Sequence, residues 1–480
     1  MSKQAHLIVD VGTGNARVGV VDTNGNILAI KRENVQYITD TRYDDSIYFN
    51  PEELWDQILR LIKGALLGAG DVVVKAITAT SQREGIVVID QKGKSLLGMP
   101  NIDHRGRKWE GTLMDKNLVY QVSGRYPTSL FSAFKLVGLR EVYPEIYNQV
   151  DCVMSISDWI QFKFSGIRCY EHSQASETLL YDVEKKNWST ILPSLFQIST
   201  KILPTLKDSG SILGEILPNV AQEIEITSDV LIIVGGGDTQ LAIRSMEPST
   251  NDVVIVSGTT TPIIKLVNDY EKDDDKRTWT SRHIDNNNFI LEANAGVTGL
   301  NYQRLKEVFY PNEEYEVIEK EIAESSYLQC MASLGSLIAD EDEPLIKGGF
   351  IFSAPVSHQL TRGSFVFSIL WDIACSIYEN YKFLCAVSPH KENYIWACGG
   401  GVESKSLRQF LANLTGKSIR ICNTFRQASV LGGAVICNDA LGITGISLSL
   451  LDETFPQEQQ KYEKLYLEWK KTRMTFKQLV

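Results

Sequence analysis

Apolar and polar positions fall in blocks along this chain, and the blocks recur in kind. In HLIVDVGTGNARVGVVDTNGNILAI three apolar runs are separated by GTGN and TNGN. The second break carries the Asn24-Gly25 pair that favours a tight hairpin turn, so the stretch predicts three consecutive antiparallel strands. PEELWDQILRLIKGALLGAG then sets apolar residues at helical spacing and ends on glycine, and VVVKAITAT reads as a buried strand. A second pass begins near LIIVGGGD and continues through DVVIVSGTTTPIIKLV, again strand, Gly/Thr turn, strand. Toward the C-terminus the pattern predicts a helix (SFVFSILWDIACSIYENYKFL), a strand (YIWACGGG), a helix (SLRQFLANLTG), a strand (SIRICN) and a helix (QASVLGGAVICNDALG). The tail places Tyr462, Leu465, Tyr466 and Trp469 on one helical stripe, the pattern of a docking face.

A glycine-rich strand-turn-strand near the start of each half predicts a duplicated α/β architecture with its boundary close to residue 240. Length agrees, because 480 residues exceed one ordinary core and suggest two large domains, 1–240 and 241–480. The composition, 43% hydrophobic and 22% charged, is that of a folded soluble protein. A net charge of −11 without a basic stripe argues against nucleic acid or an anionic membrane as partner. No run of 18 apolar residues predicts a membrane span, and Asp10 interrupts any signal-peptide core. The acidic run DYEKDDDKR reads as a solvated loop. Eight scattered cysteines without a Cys-x-x-Cys pair read as buried reduced thiols of a cytoplasmic protein, and the six isolated histidines show no metal-ligand spacing.

Chemistry concentrates at the glycine turns. In LIVDVGTGN an aspartate interrupts an apolar strand just before a Gly-Thr-Gly turn. A buried carboxylate needs a partner, and the turn offers amides and the Thr13 hydroxyl at one spot; this suits outer phosphates with Asp10 on Mg²⁺, or equally a hairpin with a capping Asp. SGTTTPI has the same character, and two such turns in two halves suit a polyphosphate gripped from opposite sides of a cleft. The three glycines of CGGGVESKSLRQFLANLTG let backbone approach a flat ligand, or let a helix pack on a strand; neither a G-x-G-x-x-G nor a G-x-x-x-x-G-K-[ST] loop occurs. In VGGGDTQ, Asp238 on a glycine turn at a strand end can protrude as a general base, or cap the helix QLAIRS.

The order DVGTGNAR, VGGGDTQLA, SGTTTP, GGGVESKSLRQFLANLTG resembles the FGGY family of carbohydrate kinases over nearly the whole chain. The resemblance implies two actin-like (ribonuclease H-like) α/β domains with an ATP and sugar cleft between them. It implies Asp10 at Mg²⁺, Gly12, Thr13, Gly14 and Arg17 near the γ-phosphate, and Gly258 and Thr259 at the phosphates from the other domain. Gly399, Gly400, Gly401 and Ser404 are implied for the adenosine, and Asp238 as the base that takes the proton of the attacking hydroxyl. A homodimer is common among such proteins. One departure is Gln427, where the family usually carries Glu.

SQREGIVVID, NIDHRG and ISDWIQFKFSG resemble autoinducer-2 kinases most, while Gln82-Arg83-Glu84 also resembles glycerol kinases. Arg83 and Glu84 provide a donor and acceptor pair for vicinal hydroxyls, with Gln82, Asp103, Arg105 and Thr239 as further sugar contacts or, for HRGRK, a surface ion-pair cluster. Xylulose kinases usually carry His where Arg83 stands, which counts against xylulose. The expectation is an ATP-dependent kinase of a small sugar, polyol or autoinducer-2-like open-chain compound. Xylulose- or glycerol-kinase specificity is the alternative within the family, and a non-catalytic actin-fold ATPase switch the alternative outside it.

Overall fold

The computed structural model describes residues 3–285, 287–324, 329–339, 341, 344–457 and 459–478. Strands β1 (Lys3–Val11), β2 (Asn15–Asp22) and β3 (Ile27–Asn34) form the expected antiparallel meander. Gly25 takes φ +86° in its second turn, a conformation glycine adopts freely. Helix α1 (Pro51–Ala69) starts where Asn50 accepts the Glu52 amide and Pro51 fits the first turn, and it stops at Gly70. Its apolar stripe, Leu54, Trp55, Ile58, Ile62 and Ala65, is buried. The chain then returns as β4 (Val72–Ser81), parallel to β1. After a long excursion that includes α2 (Ile156–Ser165), β5 (Ile212–Glu215) and β6 (Leu231–Gly237) complete a sheet ordered β5-β6-β4-β1-β2-β3.

The second half repeats this plan. Strands β7 (Val253–Val256), β8 (Thr260–Val267), β9 (Trp279–Arg282), β10 (Phe289–Val297), β11 (Tyr394–Cys398), β12 (Ser418–Cys422) and β13 (Leu450–Thr454) form a sheet ordered β9-β10-β8-β7-β11-β12-β13. Strands β7, β8 and β10 are the antiparallel meander and β11 and β12 its parallel extension, matching β1, β2, β3, β4 and β6. The repeat therefore starts at Val253. LIIVGGG, which the pattern assigns to the second pass, is instead β6, the last parallel strand of the first sheet. The acidic run is the solvated loop that its charge implies except at Asp273, which is buried, takes Arg277 through both oxygens, and donates its amide to Tyr120 Oη.

Helices α4 (Arg362–Val387) and α5 (Lys405–Thr415) fill the positions between β10, β11 and β12. The tail helix α7 (Gln459–Lys477) docks by its stripe: Trp469 is fully buried and donates to Asp372 of α4 at 2.7 Å. In each half a helix follows the last parallel strand, α3 (Asp238–Arg244) after β6 and α6 (Ala428–Leu441) after β12. These two meet: a Cβ on Gly432 of α6 would lie 1.9 Å from the Leu241 carbonyl oxygen of α3, so only glycine fits. On the same helix Val430, Leu431 and Ala434 pack with Ile8 and Val21 of the first sheet. Gly432→Ala is expected to cost about 1–3 kcal/mol by overpacking, read as a lower urea midpoint at unchanged m. An unchanged midpoint would show that the contact can relax. No helix among the described residues is long and apolar enough to cross a membrane.

Candidate active site

A cleft of about 670 Å³ opens between the two sheets, lined from the first half by Asp10, Gly12, Thr13, Gly14, Arg17, Gln82, Arg83, Glu84, Asp238 and Thr239. Gly258, Thr259, Gly399 and Gly400 line it from the second. Fourteen of the positions singled out in the sequence thus share one cavity.

The two Gly/Thr turns face the cavity from opposite halves. Gly12 N bonds Asn15 O at 3.0 Å and closes the first turn; Gly258 N bonds Thr260 O at 3.0 Å and closes the second. Asp10, at the end of β1, is cross-strand neighbour to Arg17. Its Oδ2 accepts from Arg17 Nε at 2.9 Å and from Ser429 Oγ at 2.5 Å, while Oδ1 has no hydrogen bond to a described residue. Arg17 also donates to Gln427 Oε1 at 3.0 Å and Ser429 Oγ at 2.9 Å. Gln427 thereby accepts Arg17 as a carboxylate would, without bringing a second negative charge beside Asp10.

Asp238, the first residue of α3, lines the same cleft. Oδ1 accepts from Thr239 N at 2.7 Å and from Thr239 Oγ1 at 3.3 Å, and Oδ2 has no hydrogen bond to a described residue. The carboxylate therefore serves the helix start with one oxygen and offers the other to the cleft. Burial pushes its pKa up to about 6, with Arg83 opposing and Asp10 adding to the rise. Glu84, in left-handed conformation at φ +62°, is also raised, by burial and by Glu177.

Several expected contacts lie elsewhere. Asp103 is fully buried and does not line the cleft: Oδ2 holds Arg105 at 2.7 Å and Oδ1 accepts the Ile47 amide at 2.9 Å. The pair braces a loop, because a buried carboxylate needs a cation. Ser404 caps α5 by accepting the Leu407 amide at 3.1 Å and donates to Glu319 at 2.6 Å, and Gly401 sits against Ser257 behind the lining. Gln82 does touch the cleft but its amide is committed, accepting from Asn101 N at 2.9 Å and donating to Tyr37 Oη at 3.3 Å and to Gly12 O of the first turn at 3.5 Å. The loop NIDHRG delivers its other members: Asn101 and His104 line the wall, and burial with Lys135 and Arg107 nearby holds the His104 pKa down near about 4. From β9 and β10 the sequence reading missed Trp279 and Asn294, which also line the cleft. Trp279 comes two residues after an acidic run and Asn294 lies inside a strand, so neither carries a motif.

The N-terminal domain of the FGGY family of carbohydrate kinases matches residues 5–244, and its C-terminal domain matches residues 336–441. The chain is 45% identical over 479 residues to the putative sugar kinase YoaC of Bacillus subtilis (strain 168), covering 99% of this chain and 98% of that protein. It is 25% identical over 461 residues to the autoinducer-2 kinase of Salmonella paratyphi A, covering 91% and 86%. The glycerol kinase of Plasmodium falciparum, solved with ADP, superposes with a TM-score of 0.86 at 18% identity, covering 99% and 98%, and shares the two-domain actin-like fold.

Proposed function

This chain belongs to the FGGY family of carbohydrate kinases, and from that footing we propose that it transfers the γ-phosphoryl group of ATP to a hydroxyl of a small sugar, polyol or autoinducer-2-like open-chain compound, with Asp238 as general base. One observation carries the reading. The free oxygen of Asp238 shares a cleft with two Gly/Thr turns that come from opposite halves.

Phosphoryl transfer asks a protein to position a hydroxyl, orient it with a base and neutralise phosphate charge. The turn amides and the Thr13 and Thr259 hydroxyls suit the phosphate oxygens. Asp10 suits Mg²⁺, because Oδ1 is free while Arg17 and Ser429 fix Oδ2, and Mg²⁺ is commonly held by one or two carboxylates plus phosphates. Bound there, Mg²⁺ would neutralise charge on the β- and γ-phosphates. Gly400, where a Cβ would meet nothing within 4 Å, leaves open wall for the adenosine, while Gly399 beside it packs against the Ser257 carbonyl. Asp238 accepts the proton of the attacking hydroxyl, and its raised pKa makes it a stronger base than an ordinary carboxylate.

The test is ADP release by the purified chain with autoinducer-2 precursor, xylulose, ribulose, glycerol, erythritol and gluconate. If none raises ADP release above basal hydrolysis, an ATPase switch becomes the better reading. The pH profile adds a second check. Asp238 works only when ionised, so kcat/KM is expected to fall as pH drops through about 6, roughly tenfold per unit below it. A limb near 4 would mean that the base is an unperturbed carboxylate or another group.

A further inference from the structure

Arg83 is held from the opposite half of the molecule. It lies just past the end of β4, whereas its carboxylate partner, Glu292, belongs to β10 of the second sheet. The pair is two-pronged: Nη1 donates to Oε2 at 2.5 Å and Nη2 to Oε1 at 3.0 Å. Asn294, on the cleft wall, donates to the same Glu292 Oε1 at 3.0 Å and helps to fix the carboxylate. Behind them Glu177 lies 3.8 Å from Arg83 Nη1 and is paired with Arg125, whose guanidinium stands 5.0 Å from the Trp279 ring centre. Glu292, Glu177 and Arg125 are buried.

Cations elsewhere on the wall are committed too. Arg17 sits on Asp10, and Arg426 lies 3.3 Å from Glu403. Where Asp238 and Glu84 stand, Arg83 is the one Lys or Arg among the described residues lining the cleft, and its fork is taken.

We infer that Glu292 is a specificity-determining residue: by occupying Arg83 from across the cleft, it fits the acceptor end to an uncharged polyhydroxy substrate and closes it to sugar acids. The inference rests on the kinase reading above. A substrate carboxylate at this end meets Asp238 and Glu84 with no free guanidinium, and a desolvated charge without a partner is costly. An uncharged polyol needs only hydrogen bonds. The N–H groups of Arg83 not spent on Glu292, the Asn294 amide and the Glu84 carboxyl supply them from fixed positions. Glu292→Gln leaves shape nearly intact but loosens Arg83 and leaves its charge less well matched, as recognition of a carboxylate requires.

Two measurements on the full chain separate this inference from the kinase reading. Calorimetric binding without ATP, using gluconate against xylulose, ribulose, glycerol and erythritol, tests the preference; ADP release tests phosphoryl transfer. Wild type is expected to prefer an uncharged compound over gluconate by at least about 100-fold in Kd or kcat/KM. Glu292→Gln is expected to narrow that ratio on the order of tenfold, through KM rather than kcat, and Glu292→Asp, which keeps the charge, to restore most of it. Should Glu292→Gln not fold, Asn294→Ala, which loosens the same carboxylate, is expected to narrow the ratio in the same sense. A wild-type preference for gluconate overturns the inference. So does a loss in Glu292→Gln that is equal for both kinds of compound and unrelieved in Glu292→Asp, since a merely structural role would leave the ratio unchanged.

Discussion

Replacing Asp238 with asparagine is expected to lower kcat by on the order of 10²–10⁴ while the fold and the KM for ATP hold. The asparagine carbonyl can still accept the Thr239 amide that Oδ1 takes now, so the start of α3 keeps its bond. Its amide group then stands where the free Oδ2 faces the cleft, and an amide cannot accept the hydroxyl proton. Removing a carboxylate whose burial is unfavourable also relieves a desolvation cost, so thermal unfolding is expected to be unchanged or slightly higher. The measurement is single-turnover phosphorylation of the best acceptor beside a melting curve. Full rate in Asp238→Asn removes the base assignment, and a collapsed melt would mean that the residue is chiefly structural.

The largest effect on folding is expected from Gly235→Ala. A Cβ there would lie 1.8 Å from the Ala79 carbonyl oxygen and 3.0 Å from Thr78 Oγ1, so β6 and β4 must part to admit it. The parting occurs where the register already shifts between Ile233 and Gly236, and it threatens the Gly235 amide bond to Gln161 Oε1 at 3.2 Å and the Thr80 bond to Gly236 O at 2.8 Å. Overpacking of this kind costs about 1–3 kcal/mol and can exceed it when backbone is the obstacle, against a total stability of roughly 5–15 kcal/mol. Low yield of folded protein and a depressed melting temperature are expected. Gly14→Ala is the contrast, since a Cβ there meets nothing within 4 Å; it should melt like wild type and lose ATP affinity. If Gly235→Ala melts normally and Gly14→Ala does not, the two kinds of glycine have been assigned the wrong way round.

That contrast also marks how much could be read from residues in order. Both Gly/Thr turns and the acid after VGGG were legible because strand, glycine and polar residue sit side by side in the chain, and a sharp turn at a strand end points the next side chain into the cleft. Spacing could not say whether the glycines of VGGGD cradle a ligand or admit a neighbouring strand; that depends on the Ala79 carbonyl, more than 150 positions away. In NIDHRG no periodicity decides which side chain faces inward, and the charged Asp103 and Arg105 found each other instead of the cleft. Ser404 precedes a helix, and its capping bond took it from the wall. Glu292 and Asn294 were invisible because β10 lies beyond an acidic stretch that looks like loop, and nothing local marks a strand whose partner is Arg83.

The contact of Gly432 with Leu241 has a mechanical meaning. Leu241 lies three residues after Asp238, about 4.5 Å along the same short helix. Gly432 belongs to a helix of the half that carries Gly258 and Gly399. With no side chain between the two backbones there is little compliance in the joint. On the kinase reading proposed above, any change in the angle between the halves would be handed to Asp238 as a rigid displacement rather than absorbed by repacking, so the placement of that carboxylate would be geared to the angle between them.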